Sequence, residues 1–179
     1  FKQSSLVVAN PVTSAASVIA FMFALNAPLE ASDSIALVLP TFAFGTLASI
    51  SMSGCGTTTF STGVTGSTTA TATLTLTAAT ATLAAYEQCT VSVGSGVSAA
   101  SVAQNANLAS RTMAATLPSA SGSIGATQIL LSTAVVDPAV THSSLPIARP
   151  VAWARSSIAY SFELNAPLKQ TDKVDLILP

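Results

Sequence analysis

The amino-acid sequence predicts an all-β protein, an antiparallel β-sandwich built in tandem repeats of about 139 residues. Three observations point there. Along most informative segments apolar and polar residues alternate, the period of a strand with one buried and one wet face. These segments are short and separated by clusters of Gly, Pro, Ser, Asn and Asp, which punctuate turns. Finally, LNAPLEASDSIALVLP (25–40) recurs as LNAPLKQTDKVDLILP (164–179).

The recurrence is longer than the quoted words. Ser4–Pro40 aligns without a gap onto Ser143–Pro179, an offset of 143 − 4 = 139, with Leu6, Pro11, Val12, Ile19, Phe23, Leu25, Leu29, Asp33, Leu37 and Leu39 among the identities. Repeats of about 20–50 residues build solenoids; this period is the size of a domain. The expected organisation is one complete sandwich over 1–142 and the first strands of the next over 143–179. Strand exchange between repeats is one way to complete the second. A self-contained protein with two similar hairpins is the alternative.

Taken in order, Ile19, Phe21, Phe23 and Leu25 form the inward side of a first long strand. Pro28 ends it, since proline cannot donate to a ladder, and a turn over 30–34 leads to a strand over 35–39. TLASISMS (46–53), TATATLTLT (69–77) and TVSV (90–93) read as further strands, as does QILLSTAVV (128–136), an apolar run bounded by Gly125 and Pro138. Gly54 with Gly56, Gly63 with Gly66, Gly94 with Gly96, and PSASGS (118–123) read as turns. The Ala-rich segment 98–115 reads as strand and loop. In the second copy Ile158, Tyr160, Phe162 and Leu164 alternate with small or polar residues, a turn spans 170–173, and a strand covers 174–178.

The copies differ on their outward side. Met22 becomes Ser161, Ala24 becomes Glu163 and Ala36 becomes Asp175, while the inward residues stay large and apolar. An apolar outer strip marks a contact surface, so Val18, Ala20, Met22, Ala24 and Ala36 form the candidate assembly face.

Composition agrees. Half of the residues are hydrophobic, only 7% are charged and the formal net charge is −1; an ordinary soluble domain carries about 25% charge. Between Asp33 and Asp137 the only charges are Glu87 and Arg111. Mean hydropathy is +0.62, yet no apolar run reaches the roughly 20 residues of a spanning helix, and aromatics are too few for the girdles of a membrane barrel. The deficit is explained by faces buried against other copies of the chain and by O-linked glycans on a Ser/Thr-rich surface. No Asn lies in an N-x-[ST] sequence.

Cys55 and Cys89 are the only cysteines. In an extracellular repeat they read as one disulfide closing a loop of about 35 residues; two buried thiols are the alternative. No catalytic, cofactor or metal motif is evident. His142 reads as a solvated linker residue beside Ser143 and Ser144, not a triad member. Asp172 and Asp175 lie among Lys169 and Lys173 around a turn. Gly94-Ser95-Gly96 lacks the rest of any phosphate loop. Glu30, Asp33 and Asp137 are weak calcium candidates without an EF-hand pattern. With six basic and seven acidic residues there is no basic face for nucleic acid.

Thr71, Thr73, Thr75 and Thr77 point to one face of one strand. This ladder is a glycan-bearing or contact surface, or, if several such strands stack in register, an ice-binding one.

The strand ending in Leu-Asn-Ala-Pro-Leu, its polar turn and the following Ile-Ala-Leu-Val-Leu-Pro resemble modules of tandemly repeated, Ser/Thr-rich surface proteins of protists and algae: adhesins and the mastigonemes of flagella. The resemblance covers about 37 residues twice (4–40 and 143–179). It implies immunoglobulin-like sandwiches in series, an extracellular place and a structural or adhesive role, with no catalytic residue to carry over. The expected function is a structural repeat unit of a filament or surface coat. Junctions such as Asp137-Pro138 and Ala148-Arg149-Pro150 would stiffen the series. An adhesin recognising glycans or surfaces is the rival.

Overall fold

The computed structural model describes residues 1–66, 70–80, 82–120, 122–147, 158–168 and 172–177. Among these residues twelve strands follow one another: β1 (Gln3–Val8), β2 (Ala16–Ala24), β3 (Ser34–Pro40), β4 (Ala43–Ser53), β5 (Thr59–Thr65), β6 (Thr71–Thr80), β7 (Cys89–Ser98), β8 (Thr112–Leu117), β9 (Gly122–Gln128), β10 (Leu131–Ser132), β11 (Val140–Ser144) and β12 (Ser161–Leu164). One 3₁₀ turn, Pro118–Ala120, interrupts them, and no α-helix occurs among the described residues. The chain forms two compact units, Phe1–Asp137 and Pro138–Pro179.

The first unit is two five-stranded sheets, ordered β10-β1-β2-β7-β4 and β5-β6-β3-β8-β9. Every pairing is antiparallel except β1 with β10. Alternation dictates the core. Ile19, Phe21, Phe23, Val91 and Val93 of the first sheet are buried with Ile35, Leu37, Leu39, Leu74, Leu76 and Met113 of the second in one cluster. Each buried aliphatic or aromatic side chain of this kind contributes about 1.5–3 kcal/mol relative to an exposed one.

Several expectations are corrected. Gly63 lies inside β5, because Phe60 and Val64 carry its inward side and Gly63 faces open space. Gly94 and Gly96 lie inside β7, not in a turn. There the register of β4 shifts at a bulge between Phe44 and Ala48. A Cβ on Gly96 would sit 2.2 Å from the Thr46 carbonyl oxygen, and Gly96 has φ +79°. Glycine is what lets the two backbones touch.

The apolar run 128–136 contains only the two-residue β10 and the end of β9. Ile129 and Val135 are buried while Leu130 and Leu131 are exposed. The backbone there spends its bonds closing one end of the unit, Ile129 N–H to Arg111 O and Val135 N–H to Gln104 O.

The bridge Cys55–Cys89 is formed. It ties the end of β4 to the start of β7, neighbours in one sheet with Ser53 opposite Thr90. The bridge of antibody domains instead joins the two sheets.

In the second unit β11 pairs with β12. His142 is therefore part of a strand, not of a linker; it stays exposed, its Nδ1 3.2 Å from Glu163 Oε2. Residues 172–177 form no strand, contrary to the strand expected over 174–178. In the first copy β3 exists by pairing with β6 and β8, and no counterpart of either occurs among the described residues of 138–179. Residues 148–157, the Ala148-Arg149-Pro150 junction included, Lys169, Gln170 and Leu178 lie outside the described residues.

Candidate assembly faces

Register converts the alternation of single strands into rows that cross whole sheets. On the outer face of the second sheet one row reads Ser61, Thr77, Ser34, Thr116, Ser123, a hydroxyl on each of five strands. The next reads Gly63, Thr75, Ala36, Ala114, and the third Thr65, Thr73, Val38, Thr112, Gln128. The threonine ladder 71, 73, 75, 77 is thus one column of a five-stranded face. Its β3 neighbour presents Ser34, Ala36, Val38 and Pro40, so threonine columns do not stack side by side at the centre.

The first sheet carries a more apolar face. One row reads Leu131, Ser5, Met22, Thr90, Ser53 and the next Val7, Ala20, Ser92, Ser51. Val7, Val18 and Leu131 are exposed, and Ala20 and Met22 are half-buried. Ala24 is buried despite facing outward. Gln3 stands opposite it on β1, Gln88 precedes Cys89 on the β7 side, and the Gln88 side-chain amide donates to Gln3 Oε1 across it. Ala36 belongs to the outer face of the other sheet. Val18, Ala20, Met22 and Ala24 therefore share one face, and Ala36 joins the threonine ladder on the opposite one.

Neither face carries a charged side chain. The charged residues of 1–137 are Lys2, Glu30, Asp33, Glu87, Arg111 and Asp137, and none lies on β1–β10. They sit in the turns and loops at the ends of the strands. Two are buried, one at each end.

Asp33 caps the β2–β3 turn. Its carboxylate accepts from Glu30 N–H at 2.8 Å, Ser119 N–H at 3.1 Å and Ser119 Oγ at 2.6 Å. Burial alone raises its pKa, but these three bonds outweigh it and hold the carboxyl below the ordinary aspartate range.

Arg111 is fully buried at the other end. Its Nε and Nη2 donate to Gln104 Oε1 at 3.0 and 2.9 Å, and its Nη1 to Ser132 Oγ at 3.2 Å and to the Thr133 carbonyl. The guanidinium lies 5.7 Å from the centre of the Phe42 ring. Gln104 in turn donates to Pro40 O and Thr41 Oγ1. Burial lowers the Arg111 pKa from its ordinary value. Sequence reasoning passed over Arg111; its isolation in a charge-free stretch was the available signal.

Of the calcium candidates, Glu30 and Asp33 share the β2–β3 turn, while Asp137 lies apart. Asp33 is engaged as above, and Asp137 accepts from Thr13 Oγ1 at the opposite end. Among the described residues no three His, Cys, Asp or Glu side chains converge on a metal position. A cleft beside Gln104, of about 550 Å³, is lined by Asn105, Leu108, Val135, Val136 and Asp137. Asp137 is its one ionisable side chain, so it assembles no acid–base pair.

Asp172 and Asp175 lie in the strandless stretch 172–177. No helix of the described residues is long and apolar enough to cross a membrane. No protein-family model, curated protein or solved structure matches this chain.

Proposed function

We propose that this chain is a structural repeat unit of an extracellular filament or surface coat, an immunoglobulin-like sandwich in series that assembles through its uncharged sheet faces. The observation that carries this reading is the distribution of charge in 1–137: its ten strands have no charged residue, and its ionic groups lie only at the two ends. Solubility of a lone domain rests on charge spread over its faces, whereas interface cores are depleted of it. The exposed Val7, Val18 and Leu131 strip suits contact with another copy. The hydroxyl rows of the other sheet suit a neighbour's backbone or O-linked glycans. A buried disulfide fits an oxidising, extracellular setting.

The series reading draws support from the pairing of the second copy. Ser143↔Phe162 and Ser144↔Ser161 repeat Ser4↔Phe23 and Ser5↔Met22 at the same offset, and the Ile147↔Ile158 bridge repeats Val8↔Ile19. Electron microscopy of the purified chain tests the reading. Filaments or sheets at high concentration are expected. Dispersed particles that bind a glycan saturably would favour the adhesin instead.

A further inference from the structure

Identical residues meet opposite fates in the two copies. In the first, Ile19, Phe23, Leu29 and Leu37 are all 0% exposed. Their equivalents Ile158, Phe162, Leu168 and Leu176 are 49%, 38%, 51% and 42% exposed. The β11–β12 hairpin nevertheless holds the register of β1–β2. The second unit thus has the opening geometry of the sandwich and its inward side chains, with that side half-exposed.

The first copy shows what covers such a face. The second edge of β2 is taken by β7 from Ala16↔Ser98 to Phe23↔Cys89, and both edges of β3 by β6 and β8. Among the described residues β12 pairs with β11 alone. Since Ile, Phe and both Leu are unchanged at these inward positions, the shape they fit is unchanged too. The outward positions, by contrast, have become Ser161, Glu163 and Asp175. At the Gln3 and Ala24 positions His142 and Glu163 stand opposite each other, polar and exposed, with Nδ1 3.2 Å from Oε2. This face is built to be covered on one side and wet on the other.

We infer that the second unit is an acceptor whose apolar side binds a second copy of the segment Thr41–Asp137, with a β7-type strand adding antiparallel to the edge of β12 opposite β11 and β6- and β8-type strands flanking 172–177. The inference rests on the repeat reading above, though not on face-to-face assembly. The mode is strand addition: main-chain bonds give affinity, and alternate side chains entering the core give specificity.

The test appends a second copy of residues 41–137 to the full chain after Pro179. A control appends the same segment directly to Asp137, leaving out 138–179. Amide exchange and the oxidation of the appended cysteine pair are measured in both, beside the unmodified chain. Exchange at 158–164 and 174–177 is expected to slow at least 100-fold in the extended chain, with the second disulfide formed, while in the control the appended segment exchanges as an unfolded chain. Phe162→Glu in the extended chain is expected to abolish the protection without altering residues 1–137. Unchanged exchange at 158–177, or an appended segment equally ordered in the control, would overturn the inference. Loss of filaments with this protection intact would count against face-to-face assembly only.

Discussion

Arg111 and Asp33 show how single residues close the two ends of a nearly uncharged sandwich. The acceptors of the Arg111 guanidinium, Gln104 Oε1, Ser132 Oγ and Thr133 O, are neutral, so its burial is compensated by geometry and not by a counter-charge. Truncation to Ala strands the Gln104 and Thr133 acceptors in the interior. Arg111→Ala is expected to lower unfolding free energy by about 3 kcal/mol, read as a reduced urea midpoint at unchanged slope. Arg111→Lys should fall between, since one ammonium cannot replace the planar fork.

Asp33 acts through pH. Its folded pKa lies below the ordinary value, so its contribution is fully present above the unfolded pKa. It is lost as pH falls through the folded one. Stability of the native chain should decline from about pH 4 downward. Asp33→Asn should be less stable at neutral pH and show a shallower decline in that window, measured by urea titration at successive pH values.

Among the elements, the disulfide and the β4–β7 bulge give the sharpest expectations. The cysteines are 34 residues apart; opening a loop of that size costs about 3–4 kcal/mol, so reduction should lower the melting temperature without changing the sheet signal of the folded state. Gly96→Ala places a Cβ 2.2 Å from the Thr46 carbonyl at a positive φ. It should cost about 2 kcal/mol or more, whereas Gly63→Ala, which meets open space, should be close to neutral.

The same elements show what could be read before the structure. β2, β3 and β6 were legible because Ile19–Phe23, Ile35–Leu39 and Leu74–Leu76 alternate without interruption. β5 was not, since Gly63 and four polar residues dilute Phe60 and Val64. β7 was read only over 90–93, because its glycines answer a bulge in a strand some 50 residues away in sequence. The 128–136 run reads as a strand because composition cannot distinguish a strand of a sheet from an apolar end loop.

At the scale of the whole molecule, the absence of charge was legible in the sequence, and its arrangement was not. Which residues share a row depends on pairings such as Ser34 with both Thr77 and Thr116, and topology alone brings these together. That is also why sequence alone groups Ala36 with Met22, although the fold puts them on opposite faces. The two units differ in the same way: 1–137 encloses its core, and 138–179 leaves the equivalent side chains open. Limited proteolysis should cut within 138–179 first and leave a resistant fragment ending near Asp137, identified by mass spectrometry.

Sedimentation of the native chain beside an Ala20→Lys/Met22→Lys variant probes assembly most directly, since both substitutions put charge at the middle of the first sheet's outer face and leave the core untouched. The native chain is predicted to associate as concentration rises and the variant to stay monomeric with a similar melting temperature. A native chain that remains a monomer at every concentration, or a variant that associates equally well, would contradict the account.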